Sequence, residues 1–371
     1  MPEQQFMRTA STEVWPEGRL RRWILQALDE VRLQPEAAVA VAESLVEASV
    51  TGVDSHGVLM LPVYLERIRK GGIRRTGAPA VIRVSPGQAL VDAGNVAGQW
   101  SMKKAAEAVC EIAGESGIGF AAAKNGNHVG CLAHFARFIA GRGFACILAS
   151  NSGPSVSVHG GSSKALGNNA FCMAVPRENN WPVVLDIATG KIACGKIRWR
   201  SAIDETVPKD FALSDASGNA TTDASALDHN GFVPPFGAHK GYGLAVLVDL
   251  LSAGFGGGLF SPQVTAQRNF TKAQNNSQFL IAFRYPAAGN SQPLDDYLRY
   301  LTGMPSSDGY EGRALLPGEK EELTRRERLR EGIPVPVKVI EQVHSILREA
   351  APAAAAAAAV ASAAGVSTGP Q

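Results

Sequence analysis

Short apolar runs alternate with segments of helical period through the middle of the chain, and this alternation restricts the fold more than any other feature. An apolar stretch from Gly117 to Ala123 leads into a helical pattern ending near Ala140, followed by strand-like runs at Ala145 to Ala149, Ala170 to Pro176 and Val183 to Asp186. Strands and helices in this order share layers, so the expected class is α/β. Upstream, Leu20, Ile24, Leu28 and Val31 recur at helical spacing and predict a helix from Glu17 to Arg32. Pro35 suits the first turn of a second helix, which runs to Gly52. A third passes Tyr64 and Ile68 and stops at Gly71 and Gly72, before a strand at Ala89 to Ala93 and a helix at Gly98 to Ala113. Further on, Gly237 to Gly243 opens an apolar helix over Leu244 to Leu251, and a charged helix, Glu319 to Glu331, precedes a last one ending near Glu349. Residues 1–17 are expected to be a flexible leader and 350–371, with seven consecutive alanines at Ala353 to Ala359, a low-complexity tail.

The 36 Lys and Arg against 34 Asp and Glu leave a net charge of +2, so no global field favours nucleic acid or an anionic membrane. No apolar run before the alanine tail is long enough to span a bilayer, and the first residues lack the apolar core of a secretory signal. Five dispersed cysteines without a C-x-x-C pair read as reduced core residues of a cytoplasmic protein. A small-molecule partner is the expectation that remains.

Glycine-rich phosphate loops are not supported. Gly117-Ile-Gly119 lacks a third glycine, and Gly241-Tyr-Gly243 follows a His-Lys pair instead of a strand; both read as packing glycines. There is no H-E-x-x-H, and Cys131 with His134 is an isolated pair, so no metal is expected. Ser55 beside His56 invites a hydrolase reading, but sequence neighbours rarely form a nucleophile and its base, and no G-x-S-x-G elbow exists. More informative are three glycine-flanked clusters at element ends: Asp54-Ser55-His56-Gly57, Asn127-His128 and His239-Lys240-Gly241. One such histidine is more often a capping group; three suggest a shared site. Imidazole titrates near neutrality and suits proton transfer to an alkoxide or amine formed by hydride addition. Lysine at a helix start suits a ribose hydroxyl or a phosphate.

These residues carry a resemblance. The chain is similar to the malate/L-lactate dehydrogenase family of the second type, which includes ureidoglycolate, sulfolactate and diketogulonate enzymes and cyclic imine 2-carboxylate reductases. The matching segments are DSHGVLMLPVYLERIRKGG from Asp54, NGNHVG from Asn125, SNSGP from Ser150, LGNNAF from Leu166, VLDIATGKIACGKI from Val184, GAHKGYGLAVLVDLL from Gly237, LPGE from Leu316 and EGIP from Glu331. The resemblance implies an oxidoreductase using NAD or NADP, in a non-Rossmann cofactor domain with a mostly antiparallel sheet flanked by helices. It also implies a homodimer and a second, helical domain for substrate and dimerisation built from both chain ends, residues 18–115 and 310–349, around a cofactor domain at 116–309. His56 or His128 would transfer the proton with Ser55 alongside. His128, Gly130, Ser152, Asp186, Ile187, Ala188, Lys240, Pro317, Gly318 and Glu319 would contact the dinucleotide.

Three positions depart from the family pattern. Met60 stands where many relatives carry an arginine that grips the substrate carboxylate; Gly167-Asn168-Asn169-Ala170 replaces G-T-N-P; and Lys196 replaces an aspartate of the imine reductases. Met60, Asn168 and Lys196 are thus the candidate substrate residues. The leading expectation is a reductase of small 2-oxo acids or an unusual relative. The alternatives are a reductase of pyrroline or piperideine carboxylates and, in another class, a binding or scaffold homologue that has lost catalysis.

Overall fold

The computed structural model describes residues 11–178, 180–202, 205–285, 292–307 and 312–349. The first ten residues, the domain boundary expected at 309/310 and the alanine-rich tail lie outside these. The strands are β1 (Thr12–Trp15), β2 (Ala80–Ser85), β3 (Gln88–Asp92), β4 (Ile118–Gly126), β5 (Phe144–Ser150), β6 (Val156–Ser157), β7 (Lys164–Leu166), β8 (Ala170–Val175), β9 (Val183–Ile187), β10 (Asn276–Arg284) and β11 (Ile333–Pro336). Seven of them form one open sheet in the order β2-β3-β4-β10-β5-β8-β9. Only β3 and β4 run parallel; the other neighbours are antiparallel. The chain is therefore α/β with an antiparallel-dominated sheet.

Small residues in β4 explain how helices cover this sheet. Ala121, Ala122 and Ala123 are buried, and a Cβ on Gly119 would stand 2.5 Å from the Val109 carbonyl of the helix Gly98–Ser116. That helix and Leu132–Ala140 bury Val109, Ile112, Phe135 and Ile139 against Leu148 and Leu280. The opposite face of β10 turns Phe279 and Ile281 toward Val248 and Leu251, at the end of the helix His239–Asp249 and its π-helical continuation Leu250–Gly254. Alternation along β10 thus feeds two apolar layers.

Both ends of the described chain build a second apolar cluster. Leu20, Ile24 and Leu28 of the helix Glu17–Glu30 pack with Val41 and Leu45 of Pro35–Val50, Leu61 and Leu65 of Leu61–Arg69, and Val339 and Val343 of a helix over 337–349. β1 pairs antiparallel with β11, Trp15 opposite Ile333. This corrects the expected leader, whose residues 12–15 are an ordered strand because their partner arrives from the far end of the sequence. Residues 80–115, expected in the helical unit, are instead built into the large sheet as β2, β3 and the helix beside them. Strand β10 and the helices Cys194–Ala202 and Gln292–Thr302 have no counterpart in the sequence reading. The polar stretch after 204 supplies Phe211, Leu213, Ala224 and Leu227 to a small satellite core. All five cysteines are buried and unbridged. No helix among the described residues is long and apolar enough to cross a membrane.

Candidate active site

A cavity of about 620 Å³ lies between the end of β9, the start of the helix Glu319–Glu331 and the turn after the helix Pro35–Val50. Ser55, His56, Gly130, Asn168, Asp186, Ile187, Ala188, Lys196, Pro317 and Gly318 all line it. Sequence positions 55 to 318 therefore converge on one space, together with Arg137, Lys191 and Glu321, which the sequence reading had not singled out.

His56 reaches the cavity because Asp54–His56 and Val58–Met60 are two consecutive 3-10 turns pressed against the preceding helix. The backbone N–H of Val58 donates to Ser49 Oγ at 2.9 Å, and a Cβ on Gly57 would approach that same oxygen to 2.4 Å. Only glycine lets the turn lie so close. Ser55 Oγ and His56 Nδ1 share a hydrogen bond of 3.0 Å, which leaves Nε2 as the exchangeable nitrogen. Desolvation pushes the His56 pKa below its usual 6.5; the Asp186 carboxylate opposes this and the Lys196 ammonium adds to it.

His128 stands behind His56, the two rings stacked at 5.6 Å between centroids and 23° between planes. Its Nδ1 is 2.7 Å from the Tyr64 hydroxyl, and its backbone N–H donates to Gln274 Oε1 at 3.0 Å. Burial, followed by the positive charges of His56, Arg67 and Arg198, holds its pKa down at about 3. Burial raises the Tyr64 phenol, so at ordinary pH the hydroxyl keeps its proton and can donate it to Nδ1. His128 is then a neutral imidazole with its proton on Nε2. The adjacent Asn127 is fixed by Arg67, a fully buried guanidinium that donates to Asn127 Oδ1 at 3.0 Å and to the carbonyls of Gly72, Gln267, Asn269 and Lys272.

Asp186 Oδ2 accepts from the Ala133 backbone N–H at 2.8 Å and from the Cys131 thiol at 3.2 Å, which ties β9 to the start of the helix Leu132–Ala140. Ser152 does not line the cavity; its Oγ accepts from the Asn168 backbone N–H at 3.0 Å, and so it shapes the wall from behind. Asn168 Oδ1 in turn accepts from the N–H of Gly190 at 3.2 Å.

Besides His128 and Ser152, three expected contacts lie outside the cavity lining. Met60 packs against the apolar cluster of the chain ends and is absent from the cavity lining. Lys240 sits exposed in the first turn of its helix, outside the cavity. Glu319 turns to Arg313 and caps the N–H of Leu316, while Glu321, two residues on, faces the cavity instead. Helical periodicity is the cause, since residues two apart point to different sides of a helix.

With this geometry in place, the comparisons with known proteins bear on chemistry. The family described as malate/L-lactate dehydrogenase matches residues 16–344. A malate dehydrogenase of Pyrococcus horikoshii is 32% identical over 348 residues, covering 90% of this chain and 94% of the relative. A solved structure of malate dehydrogenase from the same organism superposes with a TM-score of 0.82 at 30% identity, over 91% of this chain and 96% of that one. The delta1-piperideine-2-carboxylate reductase of Pseudomonas syringae pvar. tomato superposes with a TM-score of 0.79 at 27% identity, over 90% of this chain and all of the other. The family match over nearly the whole described chain, with dehydrogenase relatives matched along most of their length, makes this protein an oxidoreductase that belongs to the malate/L-lactate dehydrogenase family.

Proposed function

We propose that the protein moves hydride between a nicotinamide cofactor, NAD or NADP, and a small 2-oxo or 2-hydroxy acid, with His56 as the proton carrier. The observation that carries this reading is that His56 and Lys196 face the same cavity, while His128 is held behind, tied to Tyr64. The cavity fits a dinucleotide in size and charge. Ligand sites run to about 300–1,000 Å³, and here Arg137, Lys191 and Lys196 stand against Asp186 and Glu321. Arg137 Nη2 is buried without a hydrogen-bond partner among the described residues, a donor suited to an anionic ligand. Asp186, Ile187, Ala188, Gly130, Pro317 and Gly318 would hold the cofactor, with Ser152 shaping the wall and Lys240 and Glu319 no longer required. The cofactor domain is then a non-Rossmann one, in keeping with its antiparallel sheet and the absence of a G-x-G-x-x-G loop.

When bound, the nicotinamide ring supplies or accepts the hydride. In the oxidative direction neutral His56 takes the hydroxyl proton at Nε2 while its Nδ1–H donates to Ser55; in the reductive direction the imidazolium returns that proton to the carbonyl oxygen. Lys196 supplies a positive charge for the substrate carboxylate, the task Met60 cannot perform. The same charge disfavours a cationic iminium, so a 2-oxo acid fits better than the cyclic imine of the Pseudomonas relative.

The reading includes a second copy of the chain as partner, supported by the exposed apolar Leu247, Leu250 and Phe255, and a reducing cytoplasmic setting, supported by five unbridged cysteines. It also includes two units, cofactor-binding and helical, with residues 80–116 on the sheet side. Fluorescence titration with NADH and NADPH, followed by turnover on a panel of 2-oxo acids and cyclic imines, tests the function. His56→Ala should cost about 100-fold in turnover with cofactor affinity retained. Turnover of imines alone, or undiminished turnover without His56, would overturn the assignment.

A further inference from the structure

The turn that presents His56 is gripped from outside by a residue of the last third of the chain. Asp54, two positions before His56, receives both arms of the Arg328 guanidinium, Nη1 to Oδ1 at 2.6 Å and Nη2 to Oδ2 at 3.0 Å. Nη1 also donates to the Ser49 carbonyl at 2.5 Å. The pair is largely shielded, with 14% and 17% of the two side chains exposed, so its geometry is not that of a solvated surface contact. Ser49 is also the residue whose Oγ receives the Val58 N–H. The turn is therefore fastened at its start by Arg328 and at its end by Ser49, and Arg328 touches both fastenings.

Arg328 lies near the C-terminal end of the helix Glu319–Glu331. The residues just before that helix, Pro317 and Gly318, line the cavity, and the Pro317 carbonyl accepts the backbone N–H of Val184 in β9 at 3.0 Å. One helix thus meets the Asp186 strand at its beginning and the His56 turn near its end. We propose that Arg328 is a positioning residue for His56: its bidentate hold on Asp54 sets the turn against the cavity and couples the proton carrier to the wall opposite. The inference rests on His56 being that carrier. A planar two-pronged donor is needed for the grip, because an ammonium cannot reproduce both bonds and the carbonyl contact together.

The test compares Arg328→Lys, Arg328→Met, Asp54→Asn and the double variant Asp54→Asn/Arg328→Met. Readouts are kcat and KM on the best substrate of the panel, thermal midpoint, and the titration of the His56 ring followed by NMR in the protein without ligand. Small displacements of a reacting group are costly, so kcat should fall by about tenfold or more in Arg328→Lys, with KM within about twofold. The His56 midpoint should move up toward its ordinary value as the loosened turn admits water. The double variant should lose no more than the worse single one, since both break one contact. Multiplicative losses in the double variant, or an Arg328→Lys protein with unchanged kcat and His56 midpoint, would overturn the proposal. An unmoved His56 midpoint beside reduced kcat would do the same. Should the midpoint shift while His56→Ala retains turnover, the grip stands and the proton assignment fails, so the two are separable.

Discussion

In the proposed mechanism only one of the two stacked histidines carries the proton, because their nitrogens are bonded differently: His56 Nδ1 to Ser55 and His128 Nδ1 to Tyr64. His56 titrates below its usual 6.5, so the neutral form prevails at pH 7 and persists on mild acidification. Oxidation of a hydroxy acid, which needs that form, should hold its kcat/KM as pH falls through 6.5 and decline only below it; reduction, which needs the imidazolium, should rise over the same interval. Paired pH profiles check this, and an oxidation limb with its midpoint above 6.5 contradicts it. Tyr64→Phe removes the partner of His128 Nδ1 and should lower kcat/KM by about tenfold, the worth of one buried hydrogen bond, in a protein that still folds. Steady-state kinetics with circular dichroism decide that case. The cavity positions of Ser55, His56, Gly130, Asn168 and Asp186 could be anticipated because each sits in a short motif, the first two glycine-flanked at a helix end and the others in segments shared with the family the chain resembles. Tyr64, Arg67 and Arg328 were not, since each acts on a residue 60 to 274 positions away, a pairing that no local pattern encodes. Met60 shows the converse: its identity is plain in the sequence, yet its apolar packing is decided by the helices around it.

At the level of elements, the 54–58 turn is stiff because it has no room to be otherwise. Gly57 has a φ of −86°, outside the left-handed region, and the space a side chain would need is taken: Ser49 Oγ and the Ser49 backbone occupy it. Gly57→Ala should push the turn off the helix, lowering the thermal midpoint and reducing kcat more than cofactor affinity. Calorimetry and kinetics on the purified variant measure both, and a fully stable, fully active Gly57→Ala protein would refute the tight fit. The strands with plain apolar runs, β5, β8 and β9, were readable to within a residue or two. Central strand β10 was not, because it opens with Asn276, Ser277 and Gln278, which look like loop. Those polar groups are buried, and the Asn276 side chain donates to the Asn151 carbonyl while the Ser277 N–H donates to Asn151 Oδ1. Their partners in the loop after β5 make a strand of what composition alone reads as a turn.

For the whole molecule, one acidic residue joins the chain-end helices to those covering the sheet. Glu47, on Pro35–Val50, contacts His134 and receives Arg137 Nε at 2.5 Å, both from Leu132–Ala140. Burial alone would raise its pKa, but the bond to His134 and the charge of Arg137 outweigh it and hold the group down at about 2. A carboxyl depressed on folding stabilises above its unfolded value of 4.5 and loses that contribution as pH falls toward 2. Glu47→Gln should therefore cost about 1–3 kcal/mol at pH 7, with the difference from the parent shrinking across that acid interval in thermal melts taken at several pH values. A difference independent of pH would mean that charge plays no part. The general class and the order of the inner strands' segments could be read from alternation; a unit built from both chain ends was implied only by the resemblance, and the β1–β11 ladder that closes it was not foreseen. That closure sets a timetable for biogenesis. Trp15 leaves the ribosome more than three hundred residues before Ile333, its ladder partner, so β1 and the apolar surface that Ile333, Val339 and Val343 cover must wait until that distant segment has been made. Domains made of contiguous sequence can fold as they emerge; here β1 settles only once β11 has been made, and the nascent chain is a natural client for chaperones during the wait.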